Sequence, residues 1–154
     1  MSRILFVCLG NICRSPLAEG ILRHKAEKHG LKLKVDSAGT GNWHAGENPD
    51  KRAVKTAIER GIDISKLVAR QINEDDFENF DRIYVADAEV YDGVVELALT
   101  REHKLKVDYI MNLVHPDLNK PVPDPYYGGA EGFEKVFDML DLACDRIIID
   151  IKGA

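Results

Sequence analysis

A cysteine and an arginine stand six positions apart near the start of the chain, in the run Cys-Leu-Gly-Asn-Ile-Cys-Arg-Ser from Cys8 to Ser15. The apolar residues 4–7 precede this run, and Pro16, a residue that favours the first turn of a helix, follows it. We therefore predict a tight loop between a buried strand and a helix N-terminus, where free backbone N–H groups and the helix dipole bind anions. Such a loop would hold an oxyanion beside the thiolate of Cys8.

Side chains within residues 8–15, which we call the phosphate loop, suit a phosphoryl group. Gly10 is expected to adopt a positive φ, and Asn11 tolerates left-handed geometry and can bond to its own loop. Arg14 offers a planar fork for two phosphoryl oxygens. Ser15 is expected to cap the following helix and to donate its hydroxyl towards the cysteine sulfur, which favours the thiolate over the thiol. The rest of the predicted phosphate-binding set is Leu9, Ile12 and Cys13.

A thiolate and a guanidinium in this setting predict a two-step phosphoryl transfer. Cys8 would attack phosphorus and form a phosphocysteine, while Arg14 and the loop amides bind the equatorial oxygens over which transition-state charge is spread. Water would then hydrolyse the intermediate. Because the cysteine is the nucleophile and the arginine supplies the positive charge, this chemistry requires no cofactor and no metal ion.

The departing alcohol or phenol needs a proton, so a carboxylic acid should face Cys8. Asp124 is the best candidate, because prolines on both sides restrict its backbone and Tyr126 and Tyr127 follow it. Asp87, at the end of a predicted strand, is a competing candidate without aromatic company. We therefore predict that Asp124 is the general acid.

Aromatic residues on predicted loops could wall the mouth of the site and stack on a planar substrate. Trp43, Tyr126 and Tyr127 are the aromatic residues predicted to contact substrate, and His44 is a candidate for the rim. The remaining histidines lack metal-ligand spacing and are expected at the surface; they are His24, His29, His103 and His115. The sequence thus predicts no metal site.

The three cysteines are an odd number without the spacing of a disulfide scaffold, which favours a reducing, cytoplasmic location. Two interpretations of Cys13 stay open. It is either a small buried side chain or a partner that traps an oxidised Cys8 as a reversible disulfide. Cys144 occupies an apolar position of the last predicted helix and is expected in the core.

Charge and hydropathy disfavour several classes of partner. The formal net charge is −5, which opposes bulk attraction to nucleic acid or to an anionic membrane. No segment approaches the roughly 20 apolar residues of a membrane span, and the N-terminal apolar run is too short for a secretory signal. We therefore expect a cytoplasmic protein without nucleic-acid or membrane partners.

Hydrophobic periodicity predicts strands that alternate with helices. Strands are predicted over 3–7, 31–35, 82–86 and 106–110, and helices over 16–28, 50–60, 74–79, 88–100 and 133–151. The second strand is expected near a sheet edge, the third in the centre, and Glu19 on the solvent face of the first helix. This order predicts an α/β fold in one domain over residues 1–154. Its four-stranded parallel open sheet would carry helices on both faces and the phosphate loop after the first strand.

Together these motifs resemble the low-molecular-weight protein tyrosine phosphatase family over nearly the whole chain. The resemblance is carried by residues 7–16, Asp36-Ser37-Ala38-Gly39-Thr40, Trp43-His44, Ala69-Arg70-Gln71, Asp76-Phe77 and Asp124-Pro125-Tyr126-Tyr127-Gly128. It implies a four-stranded parallel sheet with flanking helices, a nucleophile at Cys8, a phosphate-binding Arg14 and a proton donor at Asp124. It further implies a hydrogen-bond network that shapes the loop, formed by Asn11, Ser15 and Ser37.

The same resemblance implies tyrosine-phosphorylated proteins as partners, with a tyrosine kinase acting on Tyr126 or Tyr127 as a further one. Other functions stay open. A phosphoarginine phosphatase shares the fold, but that branch has threonine where this chain has Ile12, whose apolar surface better suits an aryl ester. A thiol-dependent arsenate reductase needs a further pair of downstream cysteines, and here only Cys144 follows. The combination of nucleophile, arginine and acid disfavours a non-catalytic phosphate-binding module.

Overall fold

A computed structural model describes residues 1–153, and its centre is a four-stranded sheet. The strands are β1 (Ser2–Cys8), β2 (Leu33–Gly39), β3 (Arg82–Val85) and β4 (Val107–Tyr109). They lie in the order β2-β1-β3-β4, and each neighbouring pair is parallel. The predicted α/β class and parallel sheet are therefore confirmed, with β2 at an edge and β3 in the interior.

Helices connect these strands. They are α1 (Arg14–Lys28), α2 (Lys51–Glu59), α3 (Asp76–Asn79), α4 (Ala88–Leu97), α5 (Arg101–Leu105) and α6 (Ala130–Lys152), with a 3₁₀ turn over Ile110–Leu113. The sequence predicted neither α5 nor the 3₁₀ turn, because such short helices show no apolar period. Helix α5 is stabilised at its start by an N-cap, since the Thr100 hydroxyl accepts the N–H of His103 at 3.1 Å. Within residues 1–153, no helix is long and apolar enough to cross a membrane.

Both faces of the sheet are covered, because alternate side chains of β1 belong to two different cores. Ile4 and Phe6 point into a core that includes buried residues of α1, α2 and α6. Leu5 and Val7 point into a second core that includes buried residues of α3 and α4. Because alternate residues of a strand face opposite sides, a strand buried on both faces must be apolar throughout. This confirms the predicted placement of helices on both sides.

Three local features differ from the sequence-based predictions. Helix α1 begins at Arg14, so Pro16 is its third residue; the missing proline N–H costs no bond there, because the first four N–H groups of a helix lack intrahelical partners. Strand β2 extends to Gly39 rather than ending at residue 35, and the polar side chains of Asp36 and Ser37 in the added part are hydrogen-bonded to Arg70 and Glu19. Helix α4 ends at Leu97, short of the predicted end at residue 100.

The expected surface position of His103 is wrong. Its side chain is buried, stacks on the Phe77 ring at 5.0 Å between centroids, and places Nε2 2.7 Å from the Glu78 carboxylate. The backbone N–H of Leu99 points at Nδ1, which makes Nε2 the protonated nitrogen. A histidine with both ring nitrogens bonded can be buried even where the sequence shows only a polar segment.

Candidate active site

The phosphate loop lies at the carboxyl edge of the sheet, between the end of β1 and the start of α1. Cys8 is the last residue of β1 and pairs with Gly39, the last residue of β2. Asn11, Arg14 and Ser15 are all at least 97% buried. Helix α1 begins at Arg14, so its first two residues are also the last two of the phosphate loop.

Asn11 is the residue that sets the loop's conformation. Its φ is 59°, whereas Gly10 is absent from the glycines with positive φ, so the expected positive φ belongs to Asn11 and not to Gly10. Asn11 Nδ2 donates to the hydroxyls of Ser15 at 2.8 Å and Ser37 at 3.0 Å. Its Oδ1 accepts the backbone N–H of Arg70 at 3.0 Å. Asparagine combines left-handed geometry with three bonds, which a glycine could not make.

Gly10 leaves space for a neighbouring side chain and does not use its backbone freedom. A Cβ at this position would lie 3.1 Å from Cδ2 of His44, closer than most real contacts of that type. His44 itself is held by Glu47, whose carboxylate is 3.1 Å from Nδ1. The imidazole thus packs directly over the phosphate loop, at the rim position that the sequence suggested.

Ser15 supports the sulfur and does not cap the helix. Helix α1 has Cys13 at its N-cap position without any side-chain cap bond. The Ser15 hydroxyl instead lies 2.9 Å from Cys8 Sγ and accepts the amide of Asn11. Since a thiolate has no proton to give, Ser15 is the donor whenever Cys8 is ionised, and the bond stabilises the negative sulfur.

The hydrogen bonds that run from Asn11 to Ser37 end at a buried carboxylate, that of Glu19, whose predicted exposure is wrong. Glu19 is 2% exposed, although it was expected on the solvent face of α1. Its carboxylate accepts the Ser37 hydroxyl at 2.7 Å and pairs with Arg23, one turn later, at 2.7 Å. Burial raises the pKa of Glu19 above its ordinary value, opposed by the bonds from Ser37 and Arg23. The acid orients Ser37, because a carboxylate can only accept its proton.

Arg70 is a further supporting residue, found in the sequence only through the family resemblance. Its guanidinium bonds the carboxylates of Asp36 at 3.1 Å and Asp76 at 2.9 Å. Its backbone N–H meets Asn11, and its carbonyl accepts the N–H of Gly39 at 2.9 Å. Arg70 thereby attaches the segment before α3 to both the phosphate loop and β2.

Arg14 is held in place by groups far along the chain. Nη1 donates to the Asp87 carboxylate at 2.7 Å and to the carbonyl of Val122 at 2.9 Å. Burial would lower the pKa of this guanidinium, but negative charge at Cys8 and the bond to Asp87 together raise it above its ordinary value. Asp87 also caps α4 by accepting the N–H of Val90 at 2.9 Å. The geometry thus places Asp87 behind the arginine, as its support.

Asp124 lines the same cavity as Cys8 and belongs to residues 124–129, which we call the Asp124 loop. Its Oδ1 accepts the backbone N–H of Tyr126 at 3.0 Å, and its Oδ2 lies 3.7 Å from Nη2 of Arg14. The side chain is 35% exposed. A carboxylate in this position reaches both the arginine and solvent, as a proton donor to a departing group would require.

These groups line one cavity of about 320 Å³. Its lining includes almost every residue predicted from the sequence: Cys8, Leu9, Gly10, Ile12, Cys13, Arg14, Trp43, Asp124, Tyr126 and Tyr127, together with His44. The predicted contacts Asn11 and Ser15 lie behind the lining, where they bond to it. The mouth is aromatic, since Trp43 is 68% exposed and the rings of Tyr126 and Tyr127 meet edge to face at 5.0 Å.

Gly39 allows the phosphate loop to lie against the end of β2. A Cβ there would be 2.8 Å from the carbonyl oxygen of Leu9 and 3.1 Å from the backbone nitrogen of Asn11. Those atoms belong to the backbone of the loop and cannot rotate away. The missing side chain is therefore a condition for the observed loop position.

All three cysteines are free. Cys13 is 4% exposed, and burial raises the pKa of its thiol, so it is a neutral thiol beside the cavity. Cys144 is completely buried in α6, as expected, and its thiol points at the carbonyl of Ala18. Cys13 lines the same cavity as Cys8, and a reversible disulfide between them stays a prediction. Within residues 1–153, no group of three His, Cys, Asp or Glu side chains could hold a metal ion.

Comparison with known proteins gives a consistent result over the whole chain. A family model described as low molecular weight phosphotyrosine protein phosphatase matches residues 3–153. A low molecular weight protein-tyrosine-phosphatase of Bacillus subtilis is 40% identical, and the match covers 99% of this chain and 97% of the relative. A crystal structure of a protein tyrosine phosphatase from Entamoeba histolytica superposes with a TM-score of 0.92 at 37% identity, covering 99% of this chain and 98% of the other.

A neighbour with another described activity has the same fold. The crystal structure of a Drosophila arginine phosphatase superposes with a TM-score of 0.86 at 30% identity and covers 99% of this chain and 98% of its own. The fold is thus shared by proteins described as acting on different phosphorylated residues. The lining of the cavity, rather than the fold, has to separate these substrates.

Proposed function

Because the chain belongs to the low molecular weight phosphotyrosine protein phosphatase family, a family of hydrolases, we propose that it removes phosphate from phosphotyrosine in proteins. The observation that carries this proposal is the single cavity in which a thiol, a guanidinium and a carboxylate converge beneath an aromatic mouth. Its tyrosine-phosphorylated protein partners follow from the same proposal.

In the first step, Cys8 Sγ attacks phosphorus. An S–P bond forms while the bond from phosphorus to the phenolic oxygen breaks, and Asp124 transfers its proton to that oxygen. The Ser15 hydroxyl, 2.9 Å from Sγ, stabilises the thiolate before attack. Arg14 binds two equatorial oxygens with its fork, and the backbone N–H groups at the start of α1 bind the third. The support from Asp87 and Val122 keeps the guanidinium in this orientation without the substrate.

In the second step, water attacks the phosphocysteine. Asp124, now a carboxylate, takes a proton from the water as the new O–P bond forms, and the S–P bond breaks to return the thiolate and release phosphate. The acid lies 3.7 Å from Arg14 in the free site and is partly exposed to solvent. One carboxylate can therefore serve both steps, since water enters along the path that the phenol vacates.

The aromatic mouth supports an aryl ester as the substrate. Trp43 and the two tyrosines offer flat faces, and Ile12 lines the cavity without any polar atom on its side chain. A phosphoarginine carries a charged guanidinium at the matching depth, which an apolar wall does not solvate. An arsenate reductase is disfavoured for a separate reason, because the one downstream cysteine, Cys144, is completely buried and cannot relay a disulfide.

A peptide panel tests the proposal. The chain is given one peptide sequence that carries phosphotyrosine, phosphoserine or phosphoarginine, and phosphate release is measured as kcat/KM. We expect phosphotyrosine to be preferred by at least about 100-fold, because the short side chain of serine cannot reach the base of the cavity past the aromatic rim. A Cys8→Ser preparation, run in parallel, corrects for contaminating phosphatases. A preference for phosphoarginine would overturn the substrate class and leave the mechanism standing.

Two expectations from the sequence stay predictions. A tyrosine kinase acting on the tyrosine pair would find Tyr127, which is 91% exposed, more accessible than Tyr126. The other is a cytoplasmic location, which was expected from the cysteine pattern together with the hydropathy of the sequence. Phosphorylation of the purified chain by a tyrosine kinase, mapped by mass spectrometry, tests the first of these.

A further inference from the structure

We propose that Arg52, at the start of α2, is a positioning residue that holds the Asp124 loop at its working distance from the phosphate loop. The inference rests on the proposed function, because it concerns how the general acid is aimed. Arg52 does not line the cavity and touches no reacting atom. Its effect on catalysis would act through Tyr126 and the backbone of the Asp124 loop.

The Asp124 loop has few attachments of its own. Among residues 1–153, its internal bonds run from Tyr126 to Asp124 and from Gly128 to Pro125. Apart from the adjoining start of α6, the hydrogen bond that reaches it from elsewhere comes from Arg52 Nη1 to the carbonyl of Gly128, at 3.4 Å. The guanidinium also lies over the Tyr126 ring, 5.4 Å from its centroid. Both contacts fall on the loop that carries the acid.

The Arg52 guanidinium is itself held on two sides. Asp50 accepts Nε at 3.0 Å and Nη2 at 2.8 Å, which fixes the plane of the fork. The Phe133 ring, completely buried in α6, lies 4.7 Å from the guanidinium carbon. Tyr126 therefore packs against a cation whose position is set by α2 and α6, within the distance at which such pairs attract.

The same pair also connects to the phosphate loop. The backbone N–H of Asp50 donates to the carbonyl of Ile12 at 2.9 Å. A continuous path thus runs from the phosphate loop through Asp50 and Arg52 to Tyr126, whose N–H bonds Asp124. The links of this path are hydrogen bonds and one cation–π contact, so Arg52 couples the position of the acid to that of the nucleophile.

Arg60, at the other end of α2, provides a matched control. It bonds Glu134 and Asp138 at 2.5 and 2.8 Å, and its guanidinium lies 4.4 Å from the Phe137 ring. It therefore joins α2 to α6 and lies over a phenylalanine ring of α6, as Arg52 does, although its two carboxylate partners are on α6 and the one partner of Arg52 precedes α2. It makes no contact with the Asp124 loop. Loss of Arg60 reports the structural value of such a pair without its link to the acid.

The experiment measures kcat/KM for a series of aryl phosphates whose phenols differ in acidity, with Arg52→Ala, Arg52→Lys and Arg60→Ala. For Arg52→Ala we expect about 10- to 100-fold loss on the least acidic phenol and less than about threefold on the most acidic, because only a poor leaving group needs the well-aimed proton. Arg52→Lys keeps the charge but lacks the plane and the fork, so it should show the same steepened dependence. Arg60→Ala should match wild type.

Several outcomes overturn the proposal. An unchanged dependence on phenol acidity in Arg52→Ala, or an equal loss on every phenol, would mean that Arg52 supports the fold only. Steepening in Arg60→Ala would mean the same. If Arg52→Ala does not fold, Arg52→Lys decides by the same criterion. An Asp124→Ala variant distinguishes failure of this proposal from failure of the proposed function. If kcat/KM of that variant does not depend more steeply on phenol acidity than in wild type, Asp124 is not the general acid.

Discussion

Two loops line the cavity, and they are held in different ways. In the phosphate loop, Asn11 and Ser15 are buried, and their bonds reach Cys8, Ser37 and the backbone of Arg70. Among residues 1–153, no buried side-chain nitrogen or oxygen lacks a hydrogen-bond partner. The Asp124 loop, in contrast, is exposed along most of its length. The nucleophile is thus set in a network, while the acid sits on a segment that a few contacts hold.

This difference indicates a division of labour. A thiolate needs its stabilising donors in place before substrate arrives, because their reorganisation during the reaction would add to the barrier. A proton donor must admit the phenol, release it and then admit water, which an exposed loop allows. We expect that changes in the phosphate loop impair all substrates alike and that changes in the Asp124 loop impair substrates according to their leaving group.

Cys8→Ser should produce the largest effect. A serine hydroxyl is a far weaker nucleophile than a thiolate at neutral pH, so turnover of every aryl phosphate should fall by at least about four orders of magnitude. The fold should persist, because serine can still bond the Ser15 hydroxyl. The measurement is kcat/KM across the phenol series, with inorganic phosphate binding as a check that the loop is intact. Retained turnover would remove Cys8 as the nucleophile and, with it, the contrast between the two loops.

Asp124→Ala should produce the next largest effect, and an uneven one. Loss of the proton donor should reduce kcat/KM by about 10² to 10⁴ on the least acidic phenol and by much less on the most acidic. Inorganic phosphate should still inhibit competitively, because the phosphate loop is untouched. An equal loss on all phenols would show that Asp124 acts on the substrate's charge and not on its leaving group.

Asn11→Ala should produce the smallest loss of activity and the largest loss of stability. The change strands the Arg70 N–H and removes the bonds to Ser15 and Ser37, so the free energy of unfolding should fall by about 1 to 3 kcal/mol. Activity should fall about 10-fold, by the same factor on every phenol. Urea unfolding and the phenol series measure the two quantities. A leaving-group-dependent loss here would contradict the proposed division of labour between the two loops.

The sequence predicts the phosphate loop better than its supports, and the reason is chain distance. Residues 8–15 are contiguous, so their types and the apolar run before them already specify a strand, a loop and a helix N-terminus. The fold class follows from the same kind of local period. The partners of Arg14, in contrast, are Asp87 and the carbonyl of Val122, and no local pattern indicates that these meet.

The errors have physical causes of the same kind. Glu19 was expected to be exposed because it is charged, yet a buried carboxylate is tolerated where Ser37 and Arg23 both bond it. The positive φ was expected at a glycine, but Asn11 adopts it because its amide is needed there. No local sequence pattern indicates the role of Arg52. The groups that its guanidinium contacts, the rings of Tyr126 and Phe133 and the carbonyl of Gly128, lie in segments that only the folded chain brings together.

The tolerance of position 39 to substitution is set by the backbone of the neighbouring phosphate loop. Its position faces no substrate, and its backbone is ordinary strand. Any added atom would nevertheless press on the carbonyl of Leu9 and the nitrogen of Asn11. The close approach of the β2 backbone to the backbone of the phosphate loop therefore leaves no space for a side chain at position 39. In a survey of inactive variants, substitutions at position 39 should appear together with substitutions of the nucleophile, although glycine has no side chain that could take part in the reaction.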